Sequence, residues 1–144
     1  MSTVTTARPL IGPRHALGHT AIDVDHFAIA EAWASVMHSA PIALPLRIAR
    51  LRKVMRTHFE NEAALVEAAG TAFCRCHRQE HDEMIAICDE ALAQSERKPR
   101  TARSILRRAL PPIVRGHIDS MDQIAVLIIN AAAEQSMPVA RQQF

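Results

Sequence analysis

Apolar residues recur at helical spacing in four stretches of the chain. His26, Ala30, Trp33 and Met37 stand at i, i+4, i+7 and i+11, one stripe of a helix that starts at Asp23 as N-cap and runs to about Met37. Pro41 and Pro45 mark a break, after which a second helix runs from about Leu46 to Ala69 and stops at Gly70, a residue suited to the position just past a helix end. Its stripe is Leu51, Met55, His58, Glu62, Leu65 and Ala69. A third helix spans about Phe73 to Ala93, with Phe73, His77, His81, Met84, Cys88 and Leu92 in line. A connection over 94–100 leads to a fourth segment, about Thr101 to Glu134, in which Val114, His117, Met121, Ile124 and Ile128 form the stripe. Pro111 and Pro112 sit inside it. They predict a kink or a fresh start, because each lacks an N–H and crowds the turn before it.

Four amphipathic helices on short connections predict an all-α, up-down-up-down four-helix bundle over 23–135, since the stripes have only one another to cover them. Residues 1–22, with Pro9, Gly12, Pro13 and Gly18, read as an irregular N-terminal arm, and 136–144 as a C-terminal tail. Composition agrees: among 144 residues there are 25 Ala, 4 Gly and no Tyr, which favours helix and disfavours an all-β fold. A formal net charge of +2 gives no reason to expect nucleic acid or a membrane surface as a partner. Three Cys fit a reducing compartment better than a disulfide framework, and no apolar run approaches a membrane span or a signal peptide, so the expected location is cytoplasmic.

The polar residues inside the stripes change this picture. His26, His58, Glu62, His77, His81 and His117 all fall on faces that should be buried, with at least one imidazole on each helix. Five neutral imidazoles in a dry interior cannot readily satisfy one another, and a bound metal would satisfy them together. The pairs His58/Glu62 and His77/His81 are four apart, so each lies on one helix face with Cβ atoms about 5–6 Å apart. The donors are too many for one zinc, whereas carboxylate-bridged iron suits mixed imidazole and carboxylate ligation. The ferritin-like version is excluded, because no Glu in the chain is followed three positions later by His.

The motifs Leu17-Gly18 with Ile22-Asp23-Val24-Asp25-His26, His58-Phe59-Glu60-Asn61-Glu62, His77-Arg78-Gln79-Glu80-His81 and His117-Ile118-Asp119-Ser120-Met121-Asp122 together resemble the hemerythrin family, in its stand-alone bacterial form. The resemblance covers about Leu17 to Ile129. It implies two unequal irons with a bridging oxo or hydroxo group. His77, His81 and His117 would hold one iron, His26 and His58 the other, and Glu62 and Asp122 would bridge them. The second iron would then keep a free position for a small ligand. The implied function is reversible dioxygen binding, for storage, delivery or sensing, with dioxygen and also nitric oxide as candidate ligands. An enzyme acting on peroxide or nitric oxide at the same open iron is the alternative. Asp122 comes from the resemblance alone: five residues past His117 is about 140° round an ideal helix, and periodicity selects Met121.

Phe59, Trp33, Val114 and Ile113 are the expected walls of the ligand pocket. Ile113 stands where family members usually carry an aromatic, and Thr71-Ala72-Phe73 where Tyr-Pro is common, which predicts a roomier pocket and faster autoxidation. His15, His19 and His38 lie off the stripes and read as surface or arm residues. Cys88 reads as a buried small hydrophobe, and the Arg-rich runs 47–56 and 97–108 as solvated helix faces.

Overall fold

The computed structural model describes residues 8–136; the parts of the expected arm and tail at 1–7 and 137–144 lie outside the described residues. Three long helices, α1 (Thr20–Met37), α2 (Leu44–Ala68) and α3 (Arg75–Gln94), are followed by a fourth rod in sections. These are α4 (Pro99–Arg108), α5 (Leu110–His117), a π-helical turn (Ile118–Asp122) and α6 (Gln123–Gln135). Consecutive helices pack side by side, which makes an all-α four-helix bundle. Helix starts differ from the sequence reading by two or three residues and helix ends by at most one, as helix termini ordinarily do. One cap differs in kind. His19, not Asp23, caps α1 by accepting from the Ile22 N–H, while the Asp23 carboxylate turns back to accept from the N–H groups of Leu17 and Gly18.

The core falls into two clusters: a larger one with Leu44, Ile48, Leu51, Met55, Met84, Cys88, Leu106 and Leu110, and a smaller one of Ile22, Val66, Ala125, Val126 and Ile129, all buried. Trp33 is part of the larger cluster and donates from its indole nitrogen to the Leu106 carbonyl at 2.9 Å. The arm is fastened to this core and does not hang free. Leu10 and Ile11 are buried, and the Arg115 guanidinium donates to the carbonyls of Pro9 and Leu10. His15, expected at the surface, is only 4% exposed, with Nδ1 accepting from the Gly12 N–H.

The fourth rod holds the main surprise. Pro111 and Pro112 interrupt the hydrogen-bond ladder, yet Ala109 keeps helical dihedrals (φ −85°, ψ −38°), so the rod continues as two abutting helices. Further on, Leu110, Val114, Ile118, Asp122 and Val126, each four after the last, are all buried, with Pro111, His117, Ala125 and Ile129 beside them. On an unbroken α-helix those four steps would drift by about 160° round the rod. The π turn holds one extra residue and takes up most of that drift. Ser120 donates its hydroxyl to the Gly116 carbonyl at 2.7 Å, which supplies a partner where the ladder widens. The expected stripe of Met121, Ile124 and Ile128 is therefore displaced by one residue. Met121 is half-buried, Ile124 and Ile128 are exposed, and Asp122, Ala125, Val126 and Ile129 face inward.

Candidate metal centre

All seven residues singled out for ligation converge in one half of the bundle. His26 comes from the second turn of α1, His58 and Glu62 from the second half of α2, and His77 and His81 from the start of α3. His117 ends α5, and Asp122 ends the π turn. The wide turn closes the five-residue gap between them, and His117 Nε2 lies 2.9 Å from Asp122 Oδ1. Each of the seven is at most 7% exposed, Glu62 and Asp122 at 0% and 1%.

Their donor atoms fall into two groups: Glu62, His77, His81, His117 and Asp122 in one, and His26, His58 and Asp122 in the other. The carboxylates are shared between them atom by atom. Asp122 Oδ1 faces His77 at 3.4 Å and His117 at 2.9 Å, while Oδ2 faces His26 at 2.9 Å. Glu62 Oε1 faces His77 and Oε2 faces His58, each at 3.2 Å. His26 Nε2 and His58 Nε2 are 3.1 Å apart, as are His81 Nε2 and His117 Nε2. Two nitrogens at right angles on a shared ion, each about 2.1 Å from it, would stand about 3.0 Å apart.

Outer partners set which nitrogen points inward. His58 Nδ1 meets Asp25 Oδ2 at 3.1 Å, and Asn61 also donates to that oxygen. His117 Nδ1 meets Glu80 Oε2 at 2.7 Å. With Nδ1–H donating outward, each neutral ring presents a bare Nε2 lone pair to the centre, the form that binds metal. Asp25 and Glu80 fall on no apolar stripe, so periodicity could not have found them. Stacked aromatic contacts hold two more rings: Phe59 lies on His81 with centroids 3.9 Å apart and planes 9° from parallel, and Phe73 lies on His77 at 3.9 Å.

The protein atoms alone leave this cluster short of partners. Both Glu62 oxygens, Asp122 Oδ1 and His77 Nε2 are buried without a hydrogen bond, despite the short contacts. Unpartnered buried carboxylate oxygens are costly, and cations placed between them and the imidazole lone pairs would satisfy all of them. The residues therefore fit a metal pair.

Without metal, the same charges spread the pKa values widely. Burial lowers His77, but the Asp122 and Glu62 carboxylates facing its Nε2 outweigh that and push this imidazole up to about 9. Burial, with the like charges of His117 and His77, holds His81 down at about 3. His58 and His117 are raised: burial opposes, and carboxylate contacts prevail. Asp122 is held well below the usual carboxylate range, since its three imidazole partners overcome the opposing effect of burial.

Beside His26 and His58, and touching His117 and Asp122, lies a small cavity of about 10 Å³, walled by Ile29, Met55, Phe59, Met84, Val114 and Ile118. That is at the lower limit of the space one water fills. Phe59 and Val114 stand where expected. Trp33 and Ile113 do not line it, Trp33 being committed to the core.

The family model of the hemerythrin HHE cation binding domain matches residues 18–127. The chain belongs to the hemerythrin family. A bacteriohemerythrin of Ralstonia nicotianae (strain ATCC BAA-1114 / GMI1000) is 28% identical over 108 residues, covering 75% of this chain and 79% of that protein. No solved structure matches the chain. The buried cluster is thus the candidate metal centre of a hemerythrin-family helical bundle, and among the described residues no helix is long and apolar enough to cross a membrane.

Cys74 and Cys76 are exposed and make no part of this site, although the Cys74 sulfur caps α3 by accepting from the His77 N–H. Cys88 is buried, donates to the Met55 sulfur, and has its thiol pushed up to about 12 by burial.

Proposed function

We propose that the chain binds dioxygen reversibly at a pair of irons, with His77, His81 and His117 on one, His26 and His58 on the other, and Glu62 and Asp122 shared between them. Such a pair, bridged by an oxo or hydroxo group, would supply the electrons and the open position that dioxygen requires. The observation that carries the reading is the unequal division of imidazoles, three against two, with the small apolar cavity on the poorer side. The chain's own part is positional. Asp25 and Glu80 orient His58 and His117, the shared carboxylates hold the two groups together, and the apolar walls keep water away from the open side. Apart from the candidate ligands, every group on that cavity wall is apolar, so no separate acid or base stands ready to turn a substrate over, which favours binding over catalysis on peroxide or nitric oxide.

The test is to determine iron per chain, reduce without air, admit dioxygen and follow the visible spectrum through repeated cycles. Two irons and a band that returns on each cycle support the reading. Steady consumption of peroxide or nitric oxide, without a reversible band, favours the enzyme. Colourless protein holding fewer than two irons after reconstitution overturns both.

A further inference from the structure

Every residue lining the small cavity is buried except Phe59, which raises the question of how anything reaches it. Phe59 is half-buried and occupies an unusual place between two spaces. One edge of its ring walls the cavity beside His26 and His58. The ring also forms the floor of an open recess of about 320 Å³ on the outer surface between α2 and α3. That recess is bounded by Phe73, His81 and Ile85 and rimmed by Arg56, Glu60, Arg78 and Asp82. A second recess, on the side of Phe73 and Cys74, ends on His77 and shares no lining residue with the small cavity. The outer recess and the inner cavity are thus separated by one aromatic ring.

We propose that Phe59 gates the passage of small neutral molecules from the α2–α3 recess to the cavity beside His26 and His58. The inference rests on the dioxygen-binding reading only for the identity of the molecule admitted. Stacking on His81 defines the closed position, because the ring is held flat against a rigidly placed imidazole. Rotation of the side chain lifts that contact and joins the two spaces. A half-buried ring with one face toward an open recess can turn without unpacking the bundle, unlike Trp33, which is anchored by its hydrogen bond to Leu106. The rim carries two cations and two anions, so it offers no net attraction to a charged ligand. The threshold itself is apolar. Both features favour an uncharged diatomic over an anion.

The gate is testable without iron. In protein loaded with zinc, dioxygen has no redox partner at the metals, and its paramagnetism broadens methyl signals that it visits. With methionine methyls labelled, Met55 and Met84 report on the cavity, and Met121, which lines the other recess, serves as control. Under dioxygen pressure the expected result is enhanced relaxation of Met55 and Met84. Phe59→Ala should raise it several-fold, and Phe59→Trp should lower it several-fold, with Met121 unchanged in both. Phe59→Leu provides a milder opening should the tryptophan fail to fold. Unchanged relaxation of Met55 and Met84 across the variants overturns the gate, as does no enhancement in any of them. Iron-loaded protein that takes up no dioxygen while the zinc form shows the gated response would reject the function and leave the gate standing.

Discussion

The two imidazole groups of the centre are built from the same materials and surrounded in opposite ways. Around His77, His81 and His117 aromatic rings pack closely: Phe59 lies flat on His81, Phe73 stacks at a 30° tilt on His77, and the three imidazoles contact one another edge to face or at a tilt. Around His26 and His58 the protein leaves a gap, closed by aliphatic and thioether side chains. The difference teaches that openness here is made by omission. Apolar atoms that cannot ligate stand beside the two-imidazole group, whereas aromatic rings back two of the other three imidazoles.

The strongest way to break this contrast is to remove what the two sides share. Asp122→Ala takes a carboxylate from both groups at once, and metal content should fall from two ions to fewer than one per chain by elemental analysis, with helix content retained by circular dichroism. His26→Ala strikes the open side alone: one ion should remain, dioxygen binding should vanish, and the exposed His38→Ala should change neither. If His26→Ala still binds dioxygen, the assignment of the open side is wrong. Filling and emptying the gap come next. Met84→Ala should cost about 2–5 kcal/mol in denaturant unfolding, and it should shorten the life of the dioxygen-bound form by letting water in. Outer partners sharpen the contrast further. Asp25→Asn should weaken metal binding on the two-imidazole side, and Glu80→Gln on the three-imidazole side, each by about 10–100-fold in competition with a chelator.

The smallest effect is on pH, and it belongs to the metal-free chain. His77 stands at about 9, above the ordinary value near 6.5, so its proton stabilises the fold fully below pH 6.5, and that contribution is lost as the pH rises toward 9. His58 and His117 act in the same direction. His81, lowered to about 3, acts the other way, and only below pH 6.5. The melting temperature of metal-free protein should therefore drop by about 4 °C or more between pH 6.5 and 9, and that of metal-loaded protein should not, because the ions have already displaced those protons. A flat profile for the metal-free form would show that His77 is not held by Glu62 and Asp122.

What could be read from the chain followed the regularity of its helices. His58/Glu62 and His77/His81 obey the four-residue period, and any polar pair on an apolar stripe stands out. Asp122 does not obey it, because the rod widens between it and His117, and nothing in Ile118-Asp119-Ser120-Met121 announces a π turn. The same displacement makes Ile124 and Ile128 look like core, although they face outward. Asp25 and Glu80 act through contacts across helices, 33 and 37 residues away in sequence, which local spacing cannot encode. His15 lies in a stretch without period, and its burial depends on the arm folding back, a tertiary fact.

The swollen turn also makes the fourth rod respond unequally to changes in length. A chain lacking Ser120 can relax into ordinary helix there. Asp122 would then follow His117 by four places, as Glu62 follows His58, and Ala125, Val126 and Ile129 would keep their inward face. A chain with one residue more has no such relief, since the surplus is already in place, and everything from Gln123 onward would swing by about 100°. Shortening is absorbed, and lengthening is not.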